Sequence, residues 1–218
     1  TVSMGRATTV NVLDFDDSDL LLVEESPDLS EWALADLRAA APLPVVFGGD
    51  AVVCTNWVST PGLADAFHEL GDETIPRVPF VFDPGDVLGS GVAGHRELRA
   101  AVTALESSVD AVLSVNATEL RAITAALPEP PAPPIDDEDR VLAVRDASDA
   151  AAVVKHGKEE ALAATAEGIV RVDNPVVEDR RQIGGGDRFG GGLAVGLGSD
   201  WDWPVALACG NACASHYV

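Results

Sequence analysis

The residues most suggestive of chemistry form a glycine-rich run that ends in an acidic residue. Gly184, Gly185 and Gly186 precede Asp187, and the apolar residues 193–197 predict a helix leaving this turn. The N–H groups at a helix start and the positive end of its dipole make such a turn an anion site, usually for phosphate. A carboxylate there would repel phosphate unless it takes a proton from the group that attacks the phosphate. We therefore expect Asp187 to be a general base.

Other interpretations of the glycine run fit less well. The dinucleotide fingerprint G-x-G-x-x-G needs a glycine where Phe189 stands, and the run lacks the G-K-[ST] of a Walker loop. A flexible surface linker is a further alternative, because glycine clusters often form linkers. Ile183 and Phe189 beside the glycines, with an apolar helix directly after them, favour the phosphate site.

A second polar pair, Asn116 and Glu119, follows a predicted strand at residues 110–115. Three residues apart at a helix start, the two side chains project from one face of the helix. An amide and a carboxylate placed there suit Mg²⁺, directly or through its waters. The alternative is helix capping, with Asn116 as the N-cap and Glu119 closing a capping box. Taken alone, the spacing favours capping.

The elements that must position these groups alternate along the chain. Apolar or β-branched runs predict strands, and each is followed by a helical pattern; the strands are at residues 51–54, 79–83 and 110–115, and the helices at residues 60–70, 95–107 and 118–126. This alternation predicts a mostly parallel sheet with helices on both faces and ligands at the carboxyl ends of its strands. The continuous apolar run at 51–54 predicts a strand buried on both faces. Asp83 and Asp86 also fall at a strand end.

The remaining segments complete a single α/β domain over residues 1–218. Residues 9–15 and 20–23 predict strands and residues 31–38 a helix, while the proline-rich, acidic stretch 128–139 predicts a surface loop rather than a domain boundary. Short strands are predicted next, and a last helix begins at Trp203. These strands are at residues 141–144, 151–155, 161–165, 169–172 and 176–177.

Composition limits the partners and the compartment. The formal charge is −22, from 36 acidic and 14 basic residues, so we expect neither nucleic acid nor anionic membrane as a partner. Without a long apolar segment or a leader, and with three cysteines that form no C-x-x-C pair, the chain is expected to be a soluble cytoplasmic protein. The acid excess and near absence of lysine resemble proteins of salt-loving organisms. The histidines show no zinc-ligand spacing.

The N-x-x-E pair followed by G-[AG]-G-D-x-F-x-x-G resembles the PfkB carbohydrate kinase family, the ribokinase-like kinases, over most of residues 51–218. The resemblance implies a Rossmann-like three-layer α/β sandwich, ATP and Mg²⁺ as cofactors, and a small sugar or sugar-like substrate. It makes Gly184, Gly185 and Gly186 the anion hole and Asp187 the catalytic base. Asn116 and Glu119 would be the Mg²⁺-associated pair.

The same resemblance implies a nucleotide side for the site. Gly157 matches the last position of the family's T-x-G segment, although Lys155 stands in place of the threonine. Asn211 lies where the family lines its adenine pocket, and Asn174 lies in a stretch that resembles the opposite loop. Arg188 stands where many members have threonine. Arg188 is expected to reach a phosphate as a second cation. The equally favoured alternative is that its side chain is solvated on the helix surface.

The resemblance is incomplete at the amino-terminal side. The family's sugar-binding glycines and lid have no counterpart beyond the strands around Val10 and Leu20, so residues 1–25 are expected to be lid remnants and sugar specificity is not visible. The chain begins without methionine and ends inside a predicted helix, so we expect further residues or a fragment. Asn56 with Trp57, and the turn at residues 82–86, resemble an uncharacterised sugar-kinase branch.

Several functions remain open. They are an ADP-dependent sugar kinase, a nucleoside or vitamin kinase of the same fold, and a non-catalytic regulatory protein that binds nucleotide. Asp187 argues against the last, because a pure phosphate binder gains nothing from a carboxylate there. A homodimer is left open as the assembly state.

Overall fold

The computed structural model describes residues 9–15, 18–24, 26–177 and 183–218. Its strands are β1 Thr9–Phe15, β2 Ser18–Glu24, β3 Val52–Thr55, β4 Pro79–Asp83, β5 Asp110–Asn116, β6 Ala152–His156, β7 Glu160–Thr165 and β8 Gly168–Asp173. Its helices are α1 Pro27–Ser30, α2 Leu34–Ala40, α3 Leu43–Val46, α4 Leu63–Gly71, α5 Gly91–Leu105, α6 Ala117–Ala125, α7 Asp137–Ser148, α8 Gly185–Gly198 and α9 Trp203–Tyr217. A short 3-10 helix, Val87–Ser90, precedes α5.

The central sheet has six strands in the order β3-β4-β5-β6-β7-β8. The pairs from β3 to β6 are parallel, and β6-β7 and β7-β8 are antiparallel. Each parallel connection carries at least one helix, as parallel pairing requires. The predicted, mostly parallel sheet is confirmed.

Helices cover both faces of this sheet, which makes three layers. Phe80 and Phe82 of β4 pack into a core that includes residues of α4, α5, α6 and α7, whereas Val81 between them packs into a second core with Phe189 and Leu193 of α8. Successive strand residues point to opposite faces, so one strand supplies both cores. The predicted three-layer sandwich is therefore confirmed.

Strand β3 differs from its prediction as a strand buried on both faces. It lies at the edge of the sheet, with Val52 and Cys54 packed against the first core and Val53, on the other face, 45% exposed. A continuous apolar run cannot reveal whether a strand will be central or at an edge. The prediction of two buried faces is wrong for this strand.

Residues 141–144 form part of helix α7 and not the predicted strand. Helix α7 begins after Asp136, whose Oδ1 accepts a hydrogen bond from the Asp139 N–H at 3.0 Å. Val141 and Val144, three residues apart, are both buried on one helix face. The acidic capping sequence thus outweighs the β propensity of the valines. The predicted loop at 128–139 is correct only as far as residue 136, because residues 137–139 belong to α7.

Two other local predictions also need correction. Of the segment predicted as a helix at 31–38, only residues 34–38 are helical, in α2, because α1 ends at Ser30 and the chain is extended at Ala33. Residues 176–177, predicted as β, lie outside any strand, and Val176 is 100% exposed. None of the described strands pairs with this short Val-Val segment.

The amino-terminal strands β1 and β2 form a separate antiparallel ribbon in which Val12 is opposite Leu21. The two predicted strands are confirmed, and residues 16 and 17 between them lie outside the described residues. Their role as a lid stays a prediction. Within the described ranges, none of the helices combines the length and the apolar character needed to cross a bilayer.

Candidate functional site

A cleft of about 900 Å³ lies at the carboxyl ends of the parallel strands. Its lining brings together residues from α6, α8, α9 and the segments after β6 and β8. All the predicted site residues except Arg188 line it: Asn116, Glu119, Gly157, Asn174, Gly184, Gly185, Gly186, Asp187 and Asn211. Predicted site residues as far apart in the sequence as Asn116 and Asn211 therefore line the same cleft.

A smaller cavity, about 320 Å³, lies among α2, α4 and β3 and is lined mainly by apolar side chains such as Trp32 and Phe67. Burial raises the pKa of the Cys54 thiol, which lines it, to about 12. A thiol with that pKa stays protonated at neutral pH and is a poor nucleophile. The larger, polar cleft is the better candidate for chemistry.

The three glycines define a turn that opens directly into helix α8. Gly184 has a φ of +88°, in the left-handed region where glycine avoids the strain of a side chain. No side chain of the described residues caps the helix start. The first N–H groups of α8 are thus directed at the cleft, an arrangement that can bind an anion. Asp187 lies in the first helical turn beside them.

The ends of two strands support the turn from below. A Cβ atom placed on Gly186 would lie 3.2 Å from Asp83 Oδ2 of β4 and 3.2 Å from His156 Cε1 of β6. The His156 ring also stacks on Phe189 of α8, with centroids 5.3 Å apart. These contacts fix the start of α8 against the sheet.

Burial, with a smaller contribution from the positive charge of Lys155, lowers the pKa of His156 to about 4. The imidazole is therefore neutral at physiological pH. Its Nε2 atom is buried and has no hydrogen-bond partner among the described residues.

The cleft concentrates negative charge. Burial raises the pKa of Asp83; the Gly85 N–H, 2.9 Å from its Oδ1, opposes that shift, and the charge of Asp187 adds to it. Burial raises the pKa of Glu119 to about 7. The hydrogen bond from the Asn116 N–H opposes this shift, and the charges of Asp83 and Asp86 add to it. Buried carboxylates with further acidic groups around them are electrostatically suited to a cation.

Asn116 and Glu119 form the capping box that the spacing favours. Asn116 Oδ1 accepts the N–H groups of Thr118 at 2.9 Å and of Glu119 at 3.0 Å, and Glu119 Oε2 accepts the Asn116 N–H at 2.8 Å. Both residues nevertheless line the cleft. Capping and metal binding are thus compatible for Glu119, because its carboxylate has a second oxygen, whereas Asn116 Oδ1 already accepts two N–H groups.

In the part of the chain that the structure describes, no three His, Cys, Asp or Glu side chains are grouped closely enough to hold a metal ion. Mg²⁺ needs fewer protein ligands than such a group, because it keeps several waters and also binds substrate phosphates. The second carboxylate oxygen of Glu119, with acidic neighbours, fits an ion held in that way, and Asn116 as a metal ligand stays a prediction.

The nucleotide-side residues come from β6, β8 and α9. Gly157 follows β6, Asn174 follows β8, and the buried Asn211 of α9 donates from Nδ2 to the Val172 carbonyl at 3.3 Å. The Lys155 ammonium lies 2.7 Å from a Glu160 oxygen and 3.6 Å from an Asp137 oxygen, and Lys155 does not line the cleft. Of the segment matched to T-x-G, His156 and Gly157 therefore contribute to the site.

Arg188 is the predicted site residue that the structure places elsewhere. Its guanidinium carbon lies 4.8 Å from the centroid of the Tyr217 ring, and it is not among the described residues that line the cleft. This cation–π contact holds the side chain against Tyr217 of α9. A role at a phosphate stays a prediction.

Some lining residues had no predicted role. Asp83 and Asp86 were noted only as polar residues at a strand end, and Ser215, one helical turn after Asn211, was missed. Their signals were the strand end and the four-residue helical spacing. Asn56, also in the lining, has a φ of 102°, a left-handed value that asparagine adopts more readily than most residues.

The whole chain is similar to a family of sugar kinases. The family model for prokaryotic ketohexokinase matches residues 1–218. The ketohexokinase of Haloferax volcanii is 29% identical over 236 residues, which cover 99% of this chain and 59% of that protein. The chain thus spans less than two thirds of this relative.

Solved structures share the fold at low sequence identity. Thermotoga maritima ribokinase has a TM-score of 0.69 at 16% identity, covering 94% of this chain and 61% of that one. Schistosoma mansoni adenosine kinase, in complex with 2-fluoroadenosine, has a TM-score of 0.70 at 13% identity, and the match covers 97% of this chain and 62% of that one. Vibrio cholerae fructokinase, with fructose, ADP and calcium bound, has a TM-score of 0.66 at 22% identity, and the match covers 98% of this chain and 67% of that one. The ribokinase-like fold therefore supports different acceptors.

Proposed function

The chain belongs to the prokaryotic ketohexokinase family, and from this we propose that it transfers the γ-phosphoryl group of ATP to a hydroxyl group of a sugar. The family description points to a ketohexose as that sugar. The observation that carries the proposal is the meeting of the glycine turn, Asp187 and the Asn116–Glu119 pair in one cleft. The relative of which this chain spans 59% is itself described as a ketohexokinase.

Asp187 would act as the general base. It lies in the first turn of α8, next to the N–H groups that can hold a phosphate, and it lines the cleft. A sugar hydroxyl placed between Asp187 and the phosphate would lose its proton to the carboxylate as its oxygen attacks in line. Base catalysis of this kind contributes about 10²- to 10⁴-fold to the rate.

The glycine turn would stabilise the charge on the transferred group. The N–H groups at the start of α8 are fixed by the helix before substrate arrives, so they need no reorganisation as charge develops on the phosphoryl oxygens. The packing of Gly186 against Asp83 and His156 supports this pre-organisation.

Mg²⁺ would be held by Asn116 and Glu119, directly or through water, and would supply positive charge to the phosphates. The chain's own part is to place an amide oxygen and a carboxylate at the cleft edge. The capping box fixes both side chains against the start of α6. The raised pKa of Glu119 fits a site that is stabilised by a cation.

ATP as the donor rests on the family, and ADP is the second candidate. The solved fructokinase of this fold contains ADP, which as a product or a donor would occupy the same kind of site. The cytoplasmic location, the salt-loving source, the lack of nucleic-acid and membrane partners, and a homodimer stay predictions.

The test replaces Asp187 with asparagine, which keeps the size and removes the base. We expect sugar-dependent turnover to fall by about 10²- to 10⁴-fold while nucleotide binding, measured by calorimetry, is retained. Asp200→Asn is the matched control, because Asp200 is exposed beyond the other end of α8 and its φ of 55° also suits asparagine. Near-normal turnover in Asp187→Asn would contradict the base assignment.

A panel of ATP and ADP against ketohexoses, other sugars and nucleosides identifies the donor and the acceptor. Turnover with a ketohexose and ATP supports the proposal. Turnover only with ADP, or only with a nucleoside, would replace it with one of the other kinases. Nucleotide binding without any turnover would indicate a regulatory protein.

A further inference from the structure

The side chain and backbone of Asn174 connect three segments that line the cleft. Its backbone N–H donates to the Glu159 carbonyl at 2.7 Å, and its side-chain Nδ2 donates to the Gly157 carbonyl at 3.1 Å. Its Oδ1 accepts a hydrogen bond from the Ser215 hydroxyl at 2.9 Å. Both ends of the amide are thus engaged with the protein.

The three connected segments are the walls of one end of the cleft. They are the loop between β6 and β7, the stretch after β8, and the last turn of α9, and Gly157, Glu159, Asn174 and Ser215 all line the cleft. The loop and the stretch after β8 contain no regular secondary structure at these positions, and Gly157 and Glu159 are exposed. The β7–β8 ladder pairs the neighbouring residues Glu160 and Asp173, but among the described residues no ladder joins Gly157 or Ser215 to the stretch after β8.

We propose that Asn174 is a positioning residue that fixes the nucleotide-side walls by linking Gly157 to Ser215, rather than a residue whose main role is direct contact with the nucleotide. This inference rests on the proposed function. It also revises the role that the family resemblance implied for Asn174. The hydrogen bond from Asn211 to the Val172 carbonyl is a second link between α9 and β8, deeper in the fold.

The physical reason lies in the entropy of the free protein. Without the Asn174 side chain, the β6–β7 loop and the stretch after β8 sample more conformations, and a nucleotide must then order them on binding. Asp187 and the glycine turn lie on α8, and Asn116 and Glu119 lie on α6. The turn also packs against Tyr217 and Val218, but helix α9 holds these two residues without Asn174. Binding should weaken while turnover at saturating nucleotide is retained.

The first measurement is steady-state kinetics of Asn174→Ala. Because the substitution removes two side-chain hydrogen bonds, we expect the KM for ATP and the Kd for ADP to rise about tenfold, with kcat changed less than about twofold. Ser215→Ala removes one of these bonds and should raise both by about threefold. A large loss of kcat in Asn174→Ala with unchanged nucleotide affinity would overturn the inference.

A double-mutant cycle separates positioning from direct contact. If Asn174 acts partly through Ser215, the effects of Asn174→Ala and Ser215→Ala overlap, and the double variant binds ADP no more than about tenfold more weakly than the wild type. If each side chain contacts nucleotide independently, the effects multiply to about thirtyfold. The second result would overturn the positioning role.

Ser108→Ala is a matched control for loss of stability. The Ser108 hydroxyl is hydrogen-bonded with the Gly71 and Glu73 carbonyls, both at 3.0 Å, and it lies before β5, at the amino edge of the sheet. This variant loses a similar bridge away from the cleft and should bind ADP like the wild type. Equal weakening in Ser108→Ala would mean that the effect is general and would overturn the inference.

The same titrations distinguish this inference from the proposed function. A wild-type protein that binds neither ATP nor ADP contradicts the proposed function itself. A wild-type protein that binds nucleotide, with Asn174→Ala and Ser215→Ala binding equally well, contradicts the positioning role alone.

Discussion

Two neighbouring glycines of α8 give a sharp test of how this helix is held against α9. A Cβ atom on Gly192 would lie 2.8 Å from the Cys209 carbonyl oxygen, 2.9 Å from Cys213 Sγ and 3.0 Å from Gly210 Cα. A Cβ atom on Gly191 would meet no described atom within 4 Å beyond its own helix. The same substitution at adjacent positions therefore has opposite expected effects.

Gly191→Ala should stabilise the protein. Alanine is favoured over glycine inside a helix by about 0.8–1.0 kcal/mol, and nothing opposes the added methyl group. Gly192→Ala gains the same propensity but forces backbone atoms of α9 away, and overpacking of this kind costs about 1–3 kcal/mol. We expect the free energy of unfolding of Gly192→Ala to be lower than that of Gly191→Ala by about 1–3 kcal/mol.

The assay is urea unfolding of both variants and the wild type under one set of conditions. A difference of this size also separates the melting temperatures, since 1 kcal/mol corresponds to about 2–4 °C for a chain of this length. Helix α8 carries Asp187, so Gly192→Ala should also lower turnover more than Gly191→Ala does. Equal stability of the two variants would refute the close contact between α8 and α9.

Two further predictions concern titratable groups of the cleft. Glu119→Gln keeps an oxygen that can accept the Asn116 N–H, so the free energy of unfolding should not fall. Half-maximal turnover should need a higher Mg²⁺ concentration. An unchanged Mg²⁺ dependence would assign Glu119 to capping alone. Because the pKa of His156 is lowered from 6.5 to about 4, the unfolded chain binds its proton more readily. The unfolding free energy should therefore decline as pH falls from about 6.5 to 4, by up to about 3 kcal/mol. In urea titrations His156→Leu should lose that component, and the same pH slope as the wild type would contradict it.

Short-range features of the site were predictable from the sequence. The helix start at Asn116 depends on residues within three positions, and the glycine turn depends on Gly184 and the apolar helix that follows. Interactions that span a few residues are fully present in a local stretch of sequence. The two motifs were therefore enough to identify Asn116, Glu119 and residues 184–187, whereas the nucleotide-side residues came only from the family resemblance and Ser215 was missed.

Failures of prediction arose where a local pattern had two solutions. The valines at 141 and 144 favour a strand by propensity, but the acidic cap at Asp136 and burial on one face make a helix. The apolar run of β3 does not specify that the strand lies at the edge of the sheet. In both cases contacts with distant elements decided the outcome.

The sequence by itself determined the alternation of strands and helices, the glycine turn and the helix start at Asn116, because these depend on local periodicity and spacing. Only the tertiary structure decided that Asp83 and His156 meet beneath Gly186, that Asn174 links Gly157 to Ser215, and that Arg188 packs on Tyr217. Each of these contacts joins elements far apart in the chain. Their geometry follows from strand order and helix packing, which a local pattern does not specify.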